Sequence, residues 1–175
     1  MIALLIPFLA LAVLGLACSL VVHVMALAGV VPPGGDAVYV LHMGVFVVWI
    51  PTALVATRLN QGRRGFASWR QMLAGCPVWM RYAAVVLFVY SLISFFLAMR
   101  GMSASQGPVQ EPSPQTLRAF SGHWMLFYGL GFCVLFAAFR NPWMLRTAKC
   151  ASGHKVMYTD RFCPTCGTAL PERPV

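Results

Sequence analysis

The sequence has few charged residues and almost no acidic ones. Of its 175 residues, 13 are Lys or Arg and only 4 are Asp or Glu, so 10% are charged, against about 25% in soluble proteins. Hydrophobic residues make up 59% of the chain. Such a chain has too little polar surface for a soluble globule and too much apolar content for a disordered one. The composition therefore predicts an integral membrane protein.

Four apolar runs contain no charged residue and are long enough to cross a hydrocarbon core of about 30 Å as helices. They lie near residues 2–31, 37–57, 82–99 and 119–139. Continuous apolar runs are typical of membrane helices, whereas the strands of a membrane barrel alternate in polarity. We therefore predict an all-α membrane protein in which residues 1–140 form a domain of four transmembrane helices, in direct contact with the lipid bilayer.

Basic residues are distributed unevenly around these spans. Five lie between the second and third spans and six lie after the fourth, whereas only two lie between the third and fourth. Because Lys and Arg favour the cytoplasmic side, both termini are predicted to be cytoplasmic, most simply in a bacterial inner membrane. Topology thus accounts for the net charge of +9, and we expect no nucleic acid as a partner. Within the basic connection, Phe66–Met80 is predicted to form a short helix in the headgroup region.

The absence of charge inside the spans also limits the chemistry of the bundle. Without Asp, Glu, Lys or Arg there is no charged proton relay, ion-pair gate or acidic site for a coupled cation. The four carboxylates of the chain lie outside the spans, and none is adjacent in sequence to a Ser or His that could complete a hydrolase triad. The sequence therefore favours a protein that is not an enzyme.

The end of the chain carries the most specific motif, with the spacing C-x3-H-x8-C-x2-C. Its ligand candidates are Cys150, His154, Cys163 and Cys166. Two short pairs bring four donors to a tetrahedral Zn²⁺, and four protein ligands leave no position for water, which is typical of a structural zinc site. The predicted zinc-binding unit covers residues 150–170, between a juxtamembrane connector at 141–149 and a tail at 171–175.

A disulfide or a redox CxxC is the alternative interpretation of these cysteines. A cytoplasmic location keeps thiols reduced, and the segment is too short to build a thioredoxin-like domain around the CxxC. We therefore favour zinc. A hairpin that turns at Thr159–Asp160 is expected between the two ligand pairs, with Val156, Tyr158 and Phe162 as its small core.

The same segment resembles the short zinc-ribbon family. Members of that family often read C-x-x-G-H, then a hairpin, then F-C-P-x-C-G near a chain terminus. The matching residues here are Cys150, Gly153, His154, Phe162, Cys163, Pro164, Cys166 and Gly167. His154 stands where the commoner ribbon has a cysteine. The resemblance implies a cytoplasmic, structural and usually non-catalytic module of a kind often fused to prokaryotic membrane proteins.

Three histidines fall in the predicted outer half of the spans: His23, His42 and His123, each with a methionine nearby. Imidazoles and thioethers at one depth would suit a Cu(I) site or a bis-imidazole haem. A quinone or lipid head-group pocket, or ordinary packing, are the alternatives. We expect at least two of the three rings to face the bundle interior, with His42 and His123 close together.

Two functions follow from these patterns. The first is an interaction, scaffold or accessory subunit whose zinc ribbon docks a protein partner, or a larger membrane complex, at the inner membrane surface. The second is a haem or copper protein of redox or metal handling that uses the three histidines. The ribbon is the more specific motif, so we favour the first function.

Overall fold

The computed structural model describes residues 2–60, 66–104, 112–157 and 160–171. Within these ranges the chain forms five α-helices: α1 (Ile6–Leu27), α2 (Val40–Asn60), α3 (Phe66–Met72), α4 (Val78–Ala104) and α5 (Pro114–Arg140). Two short strands follow, β1 (Thr147–Lys149) and β2 (Lys155–Met157). All the helices except α3 are long and apolar enough to cross a membrane. The predicted class, a helical membrane protein with a small C-terminal sheet, is confirmed at this level.

Helix α5 lies at the centre of the bundle and packs against α1, α2 and α4. In its most apolar stretch 72% of the residues are buried, compared with 22% for each of the other three spans. Buried glycines on α5 let neighbouring side chains pack against its backbone: Leu87 of α4 packs against Gly129 and Val48 of α2 against Gly131. Helices α1, α2 and α4 therefore all pack against α5.

Tyr128 on α5 shows how closely these helices approach. Its buried ring lies between Gly15 of α1 and Gly44 of α2, and a Cβ atom at either glycine would overlap the Tyr128 side chain. The Tyr128 hydroxyl donates a 2.8 Å hydrogen bond to the backbone carbonyl of Leu41. The phenol is thus buried with its polar atom satisfied, as an apolar surrounding requires.

The outward faces of α1, α2 and α4 are apolar. Large side chains such as Leu14, Leu54 and Phe96 are mostly exposed on the outside of the bundle. Apolar exposure on this scale is costly in water and is normal where a helix meets lipid. The outer helices are therefore consistent with contact with a lipid bilayer.

The segment predicted as one helix from Phe66 to Met80 is divided, because α3 ends at Met72 and α4 begins at Val78. Pro77 lacks a backbone N–H and disfavours the helical conformation in the residue before it, which explains the interruption. The Arg81 guanidinium donates to the carbonyls of Ala74 and Cys76, at 2.6 and 3.0 Å. This turn therefore has its carbonyl groups satisfied before α4 enters the membrane.

The segment after α5 is packed against the bundle. Residues Pro142–Leu145 form a short 3-10 helix, and Met144 within it is buried in the main hydrophobic core. The Asn141 side chain donates to the carbonyl of Gly75 at 3.1 Å, which ties the end of α5 to the turn before α4. Strand β1 then begins at Thr147, inside the segment expected to be a connector. The sheet therefore starts close to the end of the bundle.

Candidate functional site

The first ligand pair lies at the tip of a hairpin. Strands β1 and β2 are antiparallel, with Lys149 opposite Lys155, so that Cys150 directly follows β1 and His154 directly precedes β2. The N–H of Gly153 donates to the carbonyl of Cys150 at 2.9 Å, and the N–H of Cys150 donates to the carbonyl of His154 at 3.0 Å. Gly153 has a φ of +80°, which favours glycine. The turn therefore brings both donors to the same side of the hairpin tip.

The second pair lies on another tight turn. Gly167, with a φ of +71°, donates its N–H to the carbonyl of Cys163 at 2.9 Å. The N–H of Cys163 donates to the carbonyl of Thr168 at 2.8 Å, and Phe162 pairs with Ala169 in an antiparallel bridge. The bridge and the turn together hold Cys163 and Cys166 on one side.

The four donor atoms meet in one cluster. The thiol sulfurs of Cys150, Cys163 and Cys166 and a ring nitrogen of His154 all lie within 4.8 Å of one another. Cys150 Sγ is 3.8 Å from Cys166 Sγ and 3.5 Å from His154 Nδ1. Tetrahedral Zn²⁺, with Zn–S of about 2.3 Å and Zn–N of about 2.0 Å, would set these separations at about 3.8 and 3.5 Å. The cluster could hold a metal ion and is compatible with zinc.

Hydrogen bonds in the cluster favour the thiolate form of Cys166. A hydrogen bond from the Thr168 side chain, followed by one from the Thr168 backbone, lowers the pKa of Cys166 to about 5. Hydrogen bonds to Cys166 and then to Cys150 raise the pKa of His154 above its ordinary value. The thiolate is the form of cysteine that binds metal, and a pKa of about 5 makes Cys166 a thiolate at neutral pH.

The small core beneath the cluster differs from the one expected. Val156 is buried with Cys150 and Cys163, as predicted, but Phe162 is 63% exposed. Neighbouring residues in extended chain point to opposite sides, so the inward side chain of Cys163 leaves Phe162 directed outward. The prediction that Phe162 belongs to this core is therefore wrong. Tyr158 and Thr159 lie outside the described residues.

His23 is enclosed in the bundle, with only 2% of its surface exposed. The Ser121 hydroxyl donates to the Leu117 carbonyl at 2.5 Å, so it accepts a hydrogen bond from His23 Nδ1 at 2.8 Å. The Tyr90 hydroxyl then donates to His23 Nε2 at 2.6 Å. Both ring nitrogens are engaged, and neither offers a metal a free lone pair.

The other two histidines come together away from His23. His42 and His123 line one groove over the face of α5 between α2 and α4, and His23 does not line it. The Trp124 indole donates to His42 Nδ1 at 3.0 Å, and the His123 ring lies 4.7 Å from the Phe127 ring, centroid to centroid. His42 is half-buried and His123 is exposed on the groove. Haem or copper binding by the three histidines stays a prediction.

Sequence reasoning missed several partners of these residues. The missed partners are Tyr90, Ser121, Trp124 and Thr168, which hydrogen-bond to a histidine or a cysteine of the predicted sites. Ser121 carried a signal that could have been used, because a serine within an apolar span favours the protein interior. Tyr90 and Trp124 are distant in sequence from the histidines they contact, so these two hydrogen bonds could be found only in the folded structure. Thr168 lies two residues after Cys166, on the same turn.

Comparison with known proteins gives no relative of this chain. No protein-family model, curated protein or solved structure matches it. The interpretation of the metal cluster therefore depends on its own donors and their geometry.

Proposed function

We propose that this chain is a membrane-anchored interaction subunit whose C-terminal zinc ribbon docks a protein partner at the cytoplasmic surface. The observation that carries the proposal is the cluster of Cys150, His154, Cys163 and Cys166, with four donor atoms within 4.8 Å. Four protein ligands complete a tetrahedral zinc site, so the metal stabilises the ribbon and has no open position for a substrate. The ribbon is then a rigid recognition surface.

The distribution of charge supports the cytoplasmic orientation. Arg58 lies near the end of α2, Arg81 near the start of α4 and Arg140 at the end of α5, so all three lie at the ribbon end of the bundle. Cations at this boundary are attracted to the anionic lipids of the cytoplasmic leaflet and follow the positive-inside rule. The ribbon segment begins a few residues after Arg140, at this same basic end of the bundle.

The ribbon also has a surface suited to docking. Phe162 is 63% exposed, and Arg161 next to it is exposed as well. An aromatic side chain bordered by an arginine is a common anchor in protein interfaces. We infer a partner with an apolar pocket bordered by carboxylates, which would accept Phe162 and pair with Arg161.

The short tether limits where such a partner can lie. Met144 is buried in the core of the bundle, and β1 begins at Thr147. Three residues of extended chain span only about 10 Å. The ribbon therefore lies close to the membrane surface, and we infer a partner that is a membrane protein or that binds at this surface.

Site-specific photo-crosslinking tests this function. A photoreactive phenylalanine analogue at Phe162, in the full chain in its native membrane, should give one discrete protein adduct. The adduct should disappear when Cys163→Ser is added, because the ribbon no longer folds without its metal. The same analogue at Leu54, on the outward apolar face of α2, is the matched control and should react with lipid.

An adduct shows proximity but not a stable complex, so copurification of the partner is the second criterion. The crosslinked partner should copurify with the wild-type chain in a fixed ratio and should be lost with Phe162→Ala. The proposal fails if Phe162 gives no protein adduct, or if the adduct persists in the Cys163→Ser chain.

A further inference from the structure

A groove lies at the end of the bundle away from the ribbon. It has a volume of about 270 Å³ and follows the face of α5 between α2 and α4; its walls include His42, Phe95, Met99, Thr116, Phe120 and His123. From His123 to the end of α5 at Arg140 is roughly 26 Å along the helix axis. The groove is therefore separate from the metal cluster.

The groove opens on the outside of the bundle. Phe95, Met99 and Phe120 are each partly exposed, and His123 is exposed beside them. These residues lie within helices that are long and apolar enough to span a membrane. A ligand would therefore enter sideways from the bilayer.

Hydrogen bonding fixes the proton on His42. An indole N–H can only donate, so the 3.0 Å bond from Trp124 identifies His42 Nδ1 as the acceptor. In the neutral ring the proton is then on Nε2, which becomes a hydrogen-bond donor. The groove thus contains one imidazole N–H whose tautomer is set by the protein.

His123 contributes a second polar group. In the ranges described above, neither of its ring nitrogens has a hydrogen-bond partner, and its ring lies against that of Phe127, with 4.7 Å between the centroids. Unpaired imidazole nitrogens in an apolar membrane environment are costly. A ligand oxygen that pairs with one of these nitrogens would reduce that cost.

We propose that this groove binds the head group of a lipid-soluble quinone or quinol. A planar ring with carbonyl or hydroxyl oxygens can pack against Phe95, Phe120 and Met99 while its oxygens pair with the two imidazoles. The groove volume of about 270 Å³ is slightly below the range of drug-sized pockets, about 300–1,000 Å³, so the groove suits a single small ring and not a larger ligand.

The same chemistry disfavours the other ligands. A Cu(I) ion needs unprotonated nitrogen, but Trp124 occupies the Nδ1 lone pair of His42 and its Nε2 carries the proton. His123 and Met99 would then supply only two donors. A phospholipid phosphate would require a cation, and the described residues that line the groove include no Lys or Arg. A neutral ring with oxygen acceptors fits these walls best.

Binding of a short-chain benzoquinone to the purified full chain in lipid nanodiscs tests the proposal. Calorimetry should show saturable binding of one quinone per chain. His42→Phe and His123→Phe each remove one hydrogen bond while keeping an aromatic ring, and each should raise Kd about tenfold. Met43→Leu, an exposed neighbour of His42 on α2, is the matched control and should leave Kd unchanged.

A second readout does not depend on any variant. The carbonyl stretching band of the bound quinone should lie at lower frequency than in protein-free nanodiscs, because its oxygen accepts a hydrogen bond from His42. The proposal is overturned if the wild-type chain shows no saturable binding, if the carbonyl band does not shift, or if both folded histidine variants bind as tightly as the wild type. Stoichiometric Cu(I) binding without quinone binding would also overturn it.

Discussion

The Tyr90 hydroxyl on α4 lies 2.6 Å from Nε2 of His23 on α1, with the two rings edge to face. The other ring nitrogen of His23 pairs with Ser121 on α5. A single buried imidazole thus joins three spans by hydrogen bonds. This arrangement satisfies a polar ring inside an apolar bundle and explains why a histidine is tolerated there.

The first prediction concerns this pair. Tyr90→Phe should destabilise the protein by about 1–3 kcal/mol, because the buried Nε2 of His23 loses its donor. Thermal unfolding of the purified chain in detergent measures the effect. Tyr82→Phe is the matched control, since Tyr82 lies on the same helix and is 70% exposed. Equal melting temperatures for the two variants would argue against a structural role for His23.

The second prediction concerns the contact between α1 and α5. Gly15→Ala places a methyl group against the Tyr128 ring and should destabilise the bundle by about 1–3 kcal/mol through overpacking. Gly101→Ala, where an added Cβ meets nothing within 4 Å, should be neutral or slightly stabilising. Unfolding of both variants under the same conditions gives the comparison. If Gly15→Ala is as stable as Gly101→Ala, the close approach of these helices is not as described.

The third prediction concerns orientation. The basic residues at the ribbon end predict that this end faces the cytoplasm. Asp36→Cys lies in the first connection and should react with a membrane-impermeant thiol reagent in intact cells, whereas Arg70→Cys should react only after the membrane is opened. The wild-type chain, which retains its native cysteines, gives the background. The reverse pattern would place the ribbon outside and contradict the proposed function.

Much of the architecture is predictable because it depends on local sequence. A span requires a continuous apolar run of sufficient length, and such runs mark α1, α2, α4 and α5. The ligand set depends on spacing, and the four predicted donors do form one cluster. In both cases the physical requirement is met by residues that are close together in the chain.

The remaining features depend on how the helices are rotated and packed. An apolar run does not say which span is central, and the burial of α5 follows from small residues such as Gly129 that face its neighbours. The separation of His23 from His42 depends on helix rotation, not on depth along the span. Strand β1 has only three residues, too few for a periodic pattern, so the beginning of the sheet could not be predicted.

The proposed function requires residues 150–170 to fold around one zinc ion, held by the donor cluster of Cys150, His154, Cys163 and Cys166. Elemental analysis of the purified full chain, after dialysis against a mild chelator, should give one zinc per chain. Cys163→Ser removes a ligand and should lose the metal, whereas Cys18→Ser, which alters an exposed cysteine of α1, should retain it. A wild-type chain without zinc, or a Cys163→Ser chain that keeps a full equivalent, would contradict a zinc site at this cluster.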